Sequence, residues 1–270
     1  MLFSADWYPG IPLNDWKLPG AEVILSAELM PVFQKMVEHG IFLTLHSPMQ
    51  VQIGSKKGNV RFMSTDVICG HLKELKKIQP NSQSRIVVHA ASFSDRTPDE
   101  VYEIQRKTLW SLWYKMKEKG LLDNTVICIE NLGKINQVGD IDDIIKLCNL
   151  TDNFVPCIDF GHLHGRSLGK FLNSKEDFNQ VFDQLRLGLP AWKVDCMHIH
   201  FSKLLYTDKG EKKHTPFNDK PAGPKPAYFI RSLSDQPPSF NPVIVCESPN
   251  PFKDGHDLMR NFISRQRSCV

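Results

Sequence analysis

The chain has 270 residues, 41% of them hydrophobic and 23% charged, enough to bury a sizeable core in the manner of an ordinary globular protein. A net charge of +3 excludes the strongly basic balance of a dedicated nucleic-acid-binding domain, and no apolar run reaches the roughly 20 residues needed to cross a bilayer. No signal peptide opens the chain, and seven cysteines without a Cys-x-x-Cys spacing suggest neither a disulfide framework nor a zinc ribbon; a cytoplasmic protein without membrane contact is expected.

In chain order, short apolar runs alternate with stretches of helical spacing. Residues 2–5 read as a strand, and a helix over 22–39 closes at Gly40. The run 41–45 stops at His46, before a helix over 66–77. The run 85–88 stops at His89. Thr97-Pro98-Asp99-Glu100 then opens a helix over 98–119, closed by Gly120. The run 125–129 stops at Glu130, before a helix over 141–147, and the run 154–158 stops at Asp159, before a helix over 175–187. The run 196–199 meets His198 and His200. Residues 207–226, rich in Lys, Gly and Pro, read as one long loop. The run 242–246 stops at Glu247, and a helix over 256–265 follows.

Strands alternating with helices imply parallel βαβ units, with a sheet covered on both faces. The expected fold class is α/β, a TIM-type (β/α) barrel forming one domain over residues 1–270. Seven strands are visible where such a barrel needs eight. Either the first βα unit is lacking or a strand escapes recognition, and a doubly wound open sheet is the competing architecture.

The chemistry lies in what ends each run. One His or Asp at a strand end is usually a cap or turn residue, but six successive strands end in metal-ligand types and none in Lys or Arg. In an α/β barrel those ends form the floor of the active site. Imidazole and carboxylate together suit zinc and related ions, and carboxylates gathered in a buried mouth repel one another without a cation. His162, just after Asp159, and His214, in Lys212-Lys213-His214, are further ligand candidates. Cys128, Cys157 and Cys196 are expected one layer deeper, as core. His39, His71 and His256 fall on helices and are expected to face solvent.

Several short segments carry a resemblance when taken together. They are Leu45-His46-Ser47-Pro48, Val88-His89, Ile129-Glu130-Asn131, Cys157-Ile158-Asp159 with His162, His198 through Lys203, His214, and Cys246-Glu247-Ser248-Pro249. Their order and spacing resemble the endonuclease IV family of apurinic/apyrimidinic endonucleases, within the xylose-isomerase-like barrel superfamily. The resemblance implies two or three zinc ions. His46, His89 and Glu130 would hold the first, Glu130 with Asp159, His198 and Glu247 the second, and His162 with His214 the third. A single-metal sugar isomerase or epimerase of the superfamily would keep only Glu130, Asp159, His198 and Glu247. Two departures stand out. Lys212 occupies the place of a family Asp at the third metal, with Glu211 beside it as a substitute, and His200 rivals His198.

The function so implied is phosphodiester hydrolysis at abasic sites in double-stranded DNA, by a monomer in which Glu130 positions metals and orients the nucleophile. DNA contacts would come from loops after ligand strands: Lys56, Lys57 and Arg61; Arg166 and Lys170; and Lys203, Lys209, Lys212 and Lys213. Met49 would be the wedge. The alternatives are the sugar isomerase or epimerase, and a non-catalytic binding protein.

Overall fold

The computed structural model describes residues 42–220 and 223–268, strand β1 (Leu2–Ser4), and the isolated positions Pro31, Gln34, Lys35 and Glu38. The helix expected over 22–39, with His39 and Gly40, lies largely outside the described residues. Two compact units are present. One comprises Met1–Ala5, Glu130–Lys146 and Pro156–Val270, the other Asp6–Ile129 and Leu147–Val155. Three of the four passages between them, after Ile129, Lys146 and Val155, fall inside regular elements, so no linker marks them in the sequence.

The second unit contains β2 (Leu45–His46), α1 (Gly58–Ile78), β3 (Ser84–His89), α2 (Pro98–Glu118) and β4 (Thr125–Glu130) as far as Ile129. β2 runs parallel to β3, with Leu45 opposite Ile86 and His46 opposite Val87. Ile86, Val87 and Val88 are all fully buried, which is why β3 reads as a continuous apolar run instead of an alternating one. Helix α2 starts where its sequence says: Thr97 accepts from the Glu100 amide, and the Glu100 carboxylate accepts from the Thr97 amide. Helix α1 starts at Gly58, well before 66, because its cap residue Lys57 makes no side-chain cap bond and gives no signal.

The first unit holds α3 (Ile141–Cys148) up to Lys146, β5 (Phe154–Asp159) from Pro156, α4 (Phe160–Arg166), α5 (Lys175–Gly188), α6 (Ala191–Asp195), β6 (His198–Phe201), β7 (Lys203–Thr207), β8 (Gly210–Thr215), α7 (Pro226–Leu233), β9 (Val243–Cys246) and α8 (Pro251–Ser268). Its sheet is parallel in the order β1–β9–β6–β5. Asp159 sits opposite His200, and Cys157 opposite His198. Six phenylalanines anchor the helices. Phe160 of α4 packs on Phe178 and Phe182 of α5 and Phe229 of α7, Phe201 stacks on Phe229 at 4.5 Å, and Phe182 meets Phe240. Burying each ring is worth about 2–3 kcal/mol, and together they fix α4 at the end of β5.

The structure differs from the sequence reading at three further places. The loop expected over 207–226 is instead the hairpin β7–β8 followed by the approach to α7. The run 196–199 does not form a strand throughout: residues 191–195 form α6, Cys196 caps it half-buried, and β6 begins at His198. Third, His71 does not face solvent. It falls with Ile68, Leu72 and Leu75 on the buried stripe of α1, at the three- and four-residue spacings of one helix face. No helix among the described residues is long and apolar enough to cross a membrane.

His71 is 1% exposed and neither ring nitrogen has a hydrogen-bond partner. Burial pushes its pKa down to about 4. A folded-state pKa below the unfolded value near 6.5 means that protons bind the unfolded chain preferentially. The penalty is absent above pH 6.5 and grows as pH falls toward 4, to about 3 kcal/mol. We expect the urea midpoint to fall between about pH 7 and about pH 4.5, and to fall measurably less in His71→Leu.

Candidate metal centre

The end of β4 and the ends of β5, β6 and β9 deliver the chemistry of the first unit. One donor atom each from Glu130, Asp159, His200 and Glu247 lies within 4.8 Å of the others, as does one each from Asp159, His162 and His214. Asp159 belongs to both groups. His200 Nδ1 stands 3.2 Å from a carboxylate oxygen of Glu130 and 3.2 Å from one of Glu247. His162 Nδ1 is 3.5 Å from Glu130.

Local folding explains these positions. Asn131, directly after β4, takes the place of ladder bonds that the strand ends lack. Its side-chain amide donates to the Asp159 carbonyl at 3.1 Å and accepts from the Asp159 amide at 2.8 Å. Its backbone carbonyl meets His162 Nδ1 at 2.9 Å. Asp159 caps α4 by accepting from the His162 amide at 2.7 Å, so β5 turns straight into the helix that carries His162. His214 Nδ1 is 3.0 Å from the Glu247 carbonyl. Carbonyls accept only, so both rings donate from Nδ1 and turn Nε2 inward, where the two Nε2 atoms lie 3.4 Å apart.

Electrostatics within the cluster call for positive charge. Glu130 and Asp159 are fully buried, and Asp159 Oδ2 has no hydrogen-bond partner. Burial raises the Glu247 pKa; His200 and His214 oppose the rise, and the charges of Glu130 and Asp159 reinforce it. Burial also works against charging His162, but the carboxylates of Asp159, Glu211, Glu130 and Glu247 outweigh it and push the pKa up to about 9. The carboxylates that favour a proton on His162 would equally favour a cation among these donors. An orphaned buried carboxylate oxygen, a carboxyl group reluctant to ionise and inward-facing imidazoles make a donor set that fits a divalent metal such as zinc.

The sequence candidates are distributed as follows. Glu130, Asp159, His162, His214 and Glu247 come together in the first unit. His198 does not join the carboxylates: it lies one layer deeper with Cys157, and His200 holds the level of Asp159. The reason is that β6 starts at His198 and does not end there. Cys157 is core, as expected. In the second unit His46 and His89 meet edge to face with centroids 4.7 Å apart, and His46 Nδ1 lies 2.8 Å from the Ser47 carbonyl. Glu211, only a substitute in the sequence reading, lies 3.5 Å from His162 Nε2.

The expected DNA contacts divide. Met49, Lys57, Lys209, Lys212 and Lys213 are exposed. Lys56 pairs with Asp95. Two are corrected. Arg166 bonds Asp140 at 2.8 Å and the carbonyls of Lys134 and Gln137 at 2.6 and 2.8 Å, which pins the loop after Glu130. Lys203 is 7% exposed and donates its ammonium to the carbonyls of Phe217 and Asp219. Both charges are used by the chain itself.

Comparisons with known proteins agree on the architecture. Residues 25–263 match the family described as xylose isomerase-like TIM barrel. An uncharacterized protein of Methanocaldococcus jannaschii, MJ0133, is 26% identical over 231 residues, 85% of this chain and 80% of that protein. Among solved structures, a D-tagatose 3-epimerase-like protein aligns with a TM-score of 0.64 at 15% identity, covering 91% of this chain and 86% of its own. Endonuclease IV from Thermus thermophilus aligns with a TM-score of 0.60 at 18% identity, covering 90% of this chain and 83% of its own.

Because the His162 pKa of about 9 reflects a proton held among carboxylates, metal uptake must displace it. Near pH 7 we expect zinc titration of the metal-stripped protein to release protons. In calorimetry this appears as a binding enthalpy that varies with the ionisation enthalpy of the buffer. His162→Ala should flatten that dependence.

Proposed function

Since the chain belongs to the xylose isomerase-like TIM barrel family, we propose that it is a metal-dependent hydrolase of phosphodiesters, acting at abasic sites in double-stranded DNA. Fold alone does not carry this reading, because the same architecture serves sugar epimerases. The observation that carries it is the sharing of Asp159 between two donor groups, Glu130–Asp159–His200–Glu247 and Asp159–His162–His214. A single-ion enzyme needs only the first. The resemblance adds His46 and His89 as imidazoles for a further ion.

Bound divalent ions would supply a nucleophilic water near neutral pH and neutralise charge on the phosphate. The residues of the chain do the rest. Glu130, buried and within 3.2 Å of His200 Nδ1 and 3.5 Å of His162 Nδ1, orients both donor groups at once and would hold the attacking water in line. Asp159 and Glu247 would complete the first donor group. His162 and His214 present Nε2 to the phosphate side, their rings locked by backbone carbonyls. Lys209, Lys212 and Lys213, exposed on the β7–β8 hairpin, would meet backbone phosphates, and the exposed Met49 would enter the stack beside the lesion.

One observation favours the second reading, a single-metal sugar isomerase or epimerase: the quartet is complete without His162 and His214, with Glu130 and Glu247 placed to move protons beside a polarised carbonyl. Two assays on the zinc-loaded protein separate the readings, cleavage of an oligonucleotide with one abasic site and epimerisation of ketoses. We expect nicking beside the abasic site, none on intact duplex, and a loss of at least about 100-fold in Glu130→Gln. Ketose turnover with no nicking would instead establish the epimerase.

A further inference from the structure

We infer that Asp254, a buried carboxylate of α8 outside both donor groups, is a positioning residue for the centre: with Lys203 it clamps Phe217, and through Phe217 and Ser248 it sets how His214 stands against Glu247. This deepens the proposed function and rests on its reading of His214 and Glu247 as metal donors.

His214 Nδ1 lies 3.0 Å from the Glu247 carbonyl, so the direction of the imidazole depends on how β8 is held against the end of β9. β8 pairs with β7 in a two-stranded sheet separate from that of β9, and no ladder joins β8 to β9 among the described residues. Asp254 supplies the link. Its Oδ2 accepts from the Phe217 amide at 2.9 Å and also from the Ser248 hydroxyl. Phe217 comes three residues after His214, and Ser248 directly follows Glu247. One oxygen atom thereby joins the two segments on which the His214–Glu247 contact depends.

Both main-chain groups of Phe217 are engaged. Its amide donates to Asp254, and its carbonyl accepts from the Lys203 ammonium at 3.1 Å; the Asp219 carbonyl accepts from the same ammonium. Lys203 starts β7 opposite Thr215, so the clamp grips the hairpin at its base, one residue from His214. The Phe217 ring meets Phe201 edge to face at 5.7 Å, which sets the same residue against β6, the strand of His200. Asp254 is 1% exposed and Lys203 7%, and each charge would be unfavourable to bury alone. Burial lowers the Lys203 pKa, and the charges of Asp219 and Asp254 oppose the fall. Apolar packing around Phe217 has no direction of its own, whereas hydrogen bonds to charged groups are short and directional.

A carboxylate in the first turn of α8 would also suit the helix dipole, a purely structural role, so the test separates the two. The full chain carrying Asp254→Ala, Asp254→Asn, Ser248→Ala or, as a control for helix charge, Asp257→Ala is compared with wild type. Urea unfolding reads stability, chelator competition reads zinc affinity, and cobalt substitution reads the visible spectrum of the centre. We expect Asp254→Ala to bind zinc at least about 10-fold more weakly and to shift the cobalt bands. Ser248→Ala should move both the same way by less, and Asp257→Ala should move neither. Asp254→Asn keeps an acceptor oxygen for Phe217 and should stay within about 3-fold of wild type. Folded Asp254→Ala with the zinc affinity and cobalt spectrum of wild type, whatever its stability, overturns the inference and leaves the proposed function standing. So does an Asp254→Asn variant as weak as Asp254→Ala. If Asp254→Ala does not fold, Ser248→Ala decides in its place. The expected losses in a protein that turns over ketoses and leaves abasic DNA intact support the clamp and overturn the proposed function alone. A wild-type protein that binds no zinc overturns both.

Discussion

The centre depends on one constraint: buried carboxylates at neighbouring strand ends cannot stay together without positive charge among them. Glu130, Asp159 and Glu247 converge where water is largely excluded, and burial alone is already raising the Glu247 pKa. Each charge removed from water costs several kcal/mol unless it is compensated. In the metal-free state the compensation comes from imidazoles, with His162 held protonated to about pH 9. The same imidazoles become neutral ligands once a metal arrives, so the site can exchange a proton for a cation without rearranging its side chains.

Orientation is left to the backbone. His162 and His214 each spend Nδ1 on a main-chain carbonyl, of Asn131 and Glu247, which are next to or part of the ligand set themselves. A ring tethered this way has one tautomer and one direction. Asn131 ties the end of β4 to Asp159 through both halves of its side-chain amide, so that Glu130 and Asp159 move as one piece. Underneath, the phenylalanines around Phe160 keep α4 from drifting. Ligand geometry in this unit is therefore set by strands and packing, with one loop-derived element, the hairpin.

Much of this is legible in the sequence because buried parallel strands announce themselves as uninterrupted apolar runs. The runs before His89, Glu130, Asp159 and Glu247 form strands at nearly the expected limits, and their end residues sit where the pattern puts them. The failures have physical causes. Cys196 and Met197 look like strand to an apolar count, but a helical turn over 191–195 consumes the approach, and a two-residue shift moves His200 to the level assigned to His198. Gly210–Thr215 is polar throughout its centre, so its hairpin has no hydrophobic alternation to detect. The β7–β8 register shifts by one residue, Leu205 pairing with Lys213 and Tyr206 with Glu211; such a shift leaves no trace in composition, and thus spacing cannot choose Glu211 over Lys212. His71 is readable in principle, because its helix stripe is in the sequence; its polar residue type points to solvent, and periodicity prevails.

Charge balance also bears on what the centre can accept. Four carboxylates, from Glu130, Asp159, Glu211 and Glu247, face the donor groups of the first unit. If all ionise they sum to −4; one divalent ion leaves −2, two leave 0 and three leave +2. A neutral sugar can approach the first of these, since a metal-polarised carbonyl needs only local positive charge. A phosphodiester approaches it less readily, because its own negative charge is repelled as it nears the floor of the site. Only with two or more ions does the field turn neutral or attractive to phosphate. Glu211 adds a negative charge that needs a positive partner, either the proton on His162 or a bound cation in its place. A fourth carboxylate beside His162 and His214 strengthens the demand for positive charge on that side of the centre, and it is on this demand that the proposed reaction and the single-ion alternative differ.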